Sequence, residues 1–249
     1  MGLIRKIAKY LTFFLFSLFL SLSILTFFLY DISSYDNLKN IFTTIFKEVV
    51  MRNTSTQEIE EIYNRITTYC NLRINESVEL SNNVSLKCSE IINTNSSYMI
   101  YLIAEKSFDQ IYYKSFECEM FECVKKIKSG RDIFFLLSFK THEFLGNIFQ
   151  YFSILTFIFG ILLFISIETW SGRLKTFGFE FLSIGIFYFL LPYFKKFISE
   201  SFLKEVPIGE NILESIFNQF NPILITFFIC GVILIAVWVL LKIFIKKSR

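Results

Sequence analysis

The chain contains a single histidine, His142. That excludes a histidine-rich metal centre and leaves one place for a histidine-assisted nucleophile. Also missing are a Walker-type phosphate loop, a GxSxG elbow and an HExxH helix. No cofactor and no catalytic residue is expected, and an enzyme is not the favoured reading. A net charge of +3 comes mostly from two basic tails, so no nucleic-acid partner is expected.

Charge itself is missing from long parts of the chain. Crossing about 30 Å of hydrocarbon takes roughly 20 apolar residues, and four windows meet that need. Residues 10–30, 144–167 and 223–241 carry no charge, and residues 176–194 carry only Glu180. The last window opens after Pro222, a residue suited to a helix start. Arg5, Lys6 and Lys9 precede the first window, which has no small-residue cleavage site after it. It is read as an uncleaved anchor rather than a signal peptide.

The basic residues give the orientation. The tail 1–9, the link 168–175 with Arg173 and Lys175, and the tail 242–249 share one side if there are four crossings, and that side is expected to be cytoplasmic. Lys195 and Lys196 run against the rule, and their stems are expected to snorkel. Trp170 and Trp238 fall near the expected inner boundary, Tyr30 and Tyr193 near the outer one. The expected location is the cell membrane, with both termini inside.

Residues 31–143 are too polar for lipid and long enough for a small outer domain. Leu38, Ile41, Phe42, Ile45, Phe46 and Val49 recur at helical spacing. Ser55 and Glu58 form a capping-box pattern ahead of Ile59, Ile62, Tyr63 and Ile66. Alternation around Ser81-Asn82-Asn83 predicts a short hairpin, and Tyr98 to Ala104 a further strand. Asp132 to Glu143 is expected to turn helical and run into the second crossing.

Four cysteines lie in this segment: Cys70, Cys88, Cys118 and Cys123. An even number on an outer face predicts two disulfides, in one of three pairings. Pairing near neighbours, Cys70 with Cys88 and Cys118 with Cys123, is preferred on loop-closure grounds. A four-thiolate zinc site is the alternative, for which the Cys118 to Cys123 spacing is loose. Cys230, in the fourth window, is read as helix or lipid packing. Glycosylation sequons begin at Asn53, Asn75, Asn83 and Asn95.

The second outer segment, residues 195–222, holds an amphipathic stretch. Ile208, Ile212, Leu213, Ile216, Phe217 and Phe220 share one face. The opposite face is acidic, which favours packing on protein over binding anionic lipid. Glu180 is the one acid inside a crossing and so a functional candidate, although Arg173 and Lys175 nearby offer it partners. No pair of Gly- or Pro-broken helices of the transporter kind is read. Gly160, Gly178, Gly185 and Gly231 are expected to permit close helix contact without a GxxxG motif.

The stretch Ile111-Tyr-Tyr-Lys-Ser-Phe-Glu-Cys-Glu-Met-Phe-Glu-Cys123, with upstream Cys70 and Cys88, resembles multi-pass membrane proteins of archaea with a four-cysteine outer domain. The topology is similar to that of claudin-like proteins, whose Trp-Gly-Leu-Trp signature is absent, and of FtsX-like permease subunits. Four-helix thiol-oxidising membrane proteins need a Cys-x-x-Cys, which this chain lacks.

These readings predict a mainly α fold: four transmembrane helices and a small helix-rich α+β domain between helices one and two. The expected function is non-enzymatic. The outer domain would bind a membrane or extracellular protein, or a second copy of the chain, and organise a complex in the lipid bilayer. A channel or transporter component using Glu180 is the rival, and a thiol-redox protein the third reading.

Overall fold

In a computed structural model, residues 2–81, 84–92, 94–118, 120–125, 132–202 and 209–247 are described. The elements are α1 (Gly2–Ile32), α2 (Tyr35–Asn53), α3 (Thr56–Leu72), β1 (Ser77–Ser81), β2 (Val84–Lys87), α4 (Cys88–Ile91), α5 (Ser96–Tyr112), α6 (Met120–Lys125), a 3₁₀ turn (Asp132–Leu137), α7 (Phe139–Ser166), α8 (Trp170–Phe202) and α9 (Gly209–Lys247). The protein is mainly helical, with one two-stranded sheet among the described residues. It divides into two compact units, residues 1–30 with 145–249, and residues 31–144.

In the first unit, α1, α7, α8 and α9 are each long and apolar enough to cross a membrane. Lipid gives no hydrophobic drive between helices, so close packing must hold them together. Aromatic rings do much of this. Phe19 stacks on Phe159, Phe16 meets Phe177 edge-on, and Phe181 meets Phe227 edge-on. Phe16, Leu20, Leu163, Ile167, Ile184 and Leu224 form the buried centre. The tightest seam joins α8 to α9. A Cβ on Gly231 would stand 2.8 Å from the Leu182 Cα and 3.0 Å from the Gly178 carbonyl, and one on Gly185 would strike the Phe228 backbone. The expected glycine contacts are therefore present.

Three boundaries differ from the sequence reading. Pro222 lies inside α9, which starts upstream at Gly209, although the candidate span opens at Phe220, two residues before it. The carbonyl that Pro222 leaves without its helical partner is that of Asn218, one turn back, while the Thr226 hydroxyl donates to the Pro222 carbonyl at 2.7 Å. Pro192 is likewise internal to α8, and both helices run through their prolines without a break. The link expected at 168–175 shrinks to the Ile167–Thr169 turn, because Thr169 accepts the Gly172 N–H at 3.1 Å and starts α8 early. Of the amphipathic stretch, Ile208 is outside the described residues, and the backbone from Gly209 is already α9.

The second unit is built around two small cores. Leu38, Phe108 and Tyr112 join α2 to α5, with Tyr35 and Phe42 against them. Cys70, Leu86, Cys88, Ile91, Met99 and Leu102 tie α3, β2, α4 and α5. The capping box is formed: Ser55 Oγ accepts the Glu58 N–H, and Glu58 reaches back to the Ser55 N–H at 3.0 Å. The hairpin is present, antiparallel, with Val78 opposite Leu86.

The strand expected at Tyr98–Ala104 is helix. Asn95 caps it, accepting the Tyr98 N–H at 2.8 Å. Ile100, Ala104, Phe108 and Tyr112 are all buried at steps of four. A short apolar run fits strand or buried helix equally, and only the longer period decides. The helix expected from Asp132 starts as a 3₁₀ turn, and α7 begins at Phe139.

Candidate functional site

The cysteines meet as near neighbours. Cys70 and Cys88 lie at disulfide distance with Cα atoms 4.9 Å apart, and Cys118 and Cys123 with Cα atoms 5.4 Å apart. The first pair is fully buried in the α3–β2–α4 core. Burial without an electropositive, solvent-reached setting is the environment of unreactive cysteine sulfur. Cys230 stands exposed on α9. Among the described residues, no group of three His, Cys, Asp or Glu is placed to hold a metal ion.

Asn53 ends α2, Asn75 lies in the turn before β1, and Asn95 caps α5, all three exposed. Asn83 lies outside the described residues. Along α3, Ile62, Tyr69 and Leu72 are exposed at steps of seven and three, and Ile74 is exposed just beyond.

Between α2 and α5 runs a polar clamp. The Tyr35 hydroxyl donates to Asp109 at 2.5 Å, and Lys39 pairs with Glu105. Burial, then the bond to Asp109, pushes the Tyr35 phenol up to about 12. The bond to Glu105 pushes the Lys39 ammonium up to about 12. General acid–base work needs groups poised near neutral pH. These groups are held away from it, and the clamp ties α2 to α5. On the surface, the Tyr69 hydroxyl and Arg73 both donate to Glu76, which lowers the Glu76 carboxyl below its usual range. His142 Nδ1 lies 3.0 Å from Ser33 Oγ, tying the start of α7 to the α1–α2 turn.

Glu180 is only 7% exposed, on the face of α8 that also carries Phe177 and Ile184. The sequence offers it Arg173 and Lys175, and the structure does not deliver them. Arg173 Nε donates to the Ile167 carbonyl at 2.8 Å, with its guanidinium 4.2 Å from the Phe164 ring centre. Lys175 lies over Trp238. Among the described residues, Glu180 makes no hydrogen bond or ion pair with another side chain.

Two features escaped the sequence reading. One is a hollow of about 350 Å³ beside Pro192, lined by Lys195, Asn218 and Asn221. The other is an apolar cleft of about 580 Å³ to which all four long helices contribute. Its signal was available: Ser153, Thr156 and Gly160 put small or polar groups at steps of three and four in a run otherwise rich in Phe, Leu and Ile. The Ser23 and Ser153 hydroxyls meet at 2.9 Å at one end of it.

The chain matches no protein family, no curated protein and no solved structure.

Proposed function

We propose that this is a cell-membrane protein with both termini cytoplasmic, whose braced domain, residues 31–143, stands outside and binds a protein partner or a second copy of the chain. It acts by assembling a membrane complex, without catalytic turnover. The carrying observation is the apolar line Ile62, Tyr69 and Leu72 with Ile74, exposed on a domain too polar for lipid. Exposed apolar groups that gather into a patch mark interaction surfaces. The clamp residues support the reading, since their pKa shifts move away from catalytic usefulness. Braced by buried sulfurs, the domain presents that surface without reordering on binding.

Co-purification in mild detergent tests this, comparing the native chain with Leu72→Glu. A stoichiometric protein partner, or a defined homo-oligomer, lost in the variant is the expected result. A monomer that brings down nothing, or an assembly that ignores Leu72→Glu, overturns it.

One observation favours the rival, a channel or carrier component. Glu180 is an acid within a membrane helix and is 7% exposed as a residue, and such residues often serve ion or proton paths. Proton or solute flux in reconstituted vesicles decides. Flux that Glu180→Gln abolishes supports the rival, and flux it leaves unchanged removes it.

A further inference from the structure

The cleft among the four helices continues into a second apolar hollow. The first has about 580 Å³ and includes Leu20, Thr156, Gly160, Phe177, Phe181 and Phe227. The second has about 290 Å³ and is bounded by Arg173 and Trp170. Phe164, Phe177 and Phe181 border both, so the two hollows adjoin across these three rings and are taken together as one groove. It runs from the Ser23–Ser153 pair to Arg173.

Its length is set by α7. Ser153 and Phe164 are eleven residues apart, about 16 Å at 1.5 Å per residue. One leaflet of hydrocarbon is about 15 Å, half of the full core. The groove therefore matches a single acyl chain in a single leaflet.

Its charged end is one-sided. Arg173 closes the groove, and Lys175 and Lys242 both lie over Trp238 at the same end of the bundle. Lys6 and Lys9 line a hollow with the Ile167–Thr169 turn beside them, where Glu168 is the acid present. Stacked on Phe164 and Trp170, with Nε fixed to the Ile167 carbonyl, the Arg173 guanidinium is held in place with terminal nitrogens to offer. Guanidinium pairs with phosphate through two parallel bonds.

We propose that this groove is a binding site for one anionic phospholipid, its phosphate on Arg173 and one acyl chain between α1, α7, α8 and α9. The chain supplies the apolar filling that protein side chains leave out, and the charge selects the headgroup. Ser23 and Ser153 satisfy each other and close the far end without needing a polar ligand group.

The test is native mass spectrometry of the intact chain with phosphatidylglycerol or phosphatidylcholine of equal chain length. The native chain is expected to keep one phosphatidylglycerol through detergent washing, about fivefold in preference to phosphatidylcholine, as one well-placed cation gives. Arg173→Gln is expected to erase that preference, and Arg173→Lys to retain most of it. Thr156→Phe, which fills the groove, is expected to lower retention of both lipids. Equal retention of the two lipids by the native chain overturns the proposal and requires no variant to fold. So does an unchanged preference in Arg173→Gln, or unchanged retention in Thr156→Phe.

Discussion

Phe157 on α7 and Leu72 on α3 are similarly exposed, at 70% and 82%, yet they belong to regions built on opposite terms. In the four long helices, apolar side chains point outward as well as inward. Only 6% of the most apolar window of α7 is buried. In the domain between the first two spans, apolar groups turn in, and Leu86, Ile91 and Phe108 reach zero exposure. A bundle surrounded by lipid gains nothing by hiding phenylalanine, so it is held by close backbone approach and ring contact. A small domain in water must bury what it can, and braces itself with caps and disulfides because its cores are small.

The comparison breaks most visibly if the brace is removed. Replacing Cys70 and Cys88 together by serine is expected to destabilise the domain by about 3 kcal/mol. Protease digestion of the full chain in detergent should then cut residues 31–144 and spare the long helices. Equal digestion of both regions would mean that they are not independent.

The mirror experiment acts on the bundle. Gly185→Leu drives a side chain into the Phe228 backbone and is expected to cost about 1–3 kcal/mol through overpacking. A thermal scan should show loss of α8–α9 packing while the domain transition stays put.

Alkali sharpens the comparison. Tyr35 and Lys39 both hold their protons more tightly folded than unfolded, with values raised to about 12. Their contribution is complete below about pH 10, where both states are protonated. It is lost as pH rises from about 10 through 12. The expected loss is on the order of 1 kcal/mol after solvent screening of this partly exposed clamp. Tyr35→Phe should flatten that part of the domain's pH profile and leave the bundle unchanged.

The smallest effect is expected from Ser55→Ala. It deletes the cap of α3 and costs about 1 kcal/mol, read as faster amide hydrogen exchange in the first turn of α3.

The long spans were legible because their apolar windows exceed any soluble helix of ordinary length. Ser55 and Glu58 were legible because a capping box is written in four residues. The cysteine pairing followed from loop length. The helix at Tyr98–Ala104 was not legible in its own seven residues, because its apolar run carries no period. Its signal lies in Asn95 before it and Phe108 and Tyr112 after it. Pro222 marked the opening of the fourth span to within two residues, while the helix itself starts upstream at Gly209. The groove was invisible as a shape, since a cavity between four helices depends on which faces meet. Its small residues on α7 were in view, and only their partners on α1, α8 and α9 were not.

That the two regions face different solvents is tested most directly by spin labels at two equally exposed positions. In a Cys230→Ser background, Leu72→Cys and Phe157→Cys would each carry a nitroxide in protein reconstituted into a bilayer. The label at residue 157 should relax with oxygen, which concentrates in lipid, and the label at residue 72 with a water-soluble nickel chelate. Both labels responding mainly to the chelate, or both mainly to oxygen, would contradict the account.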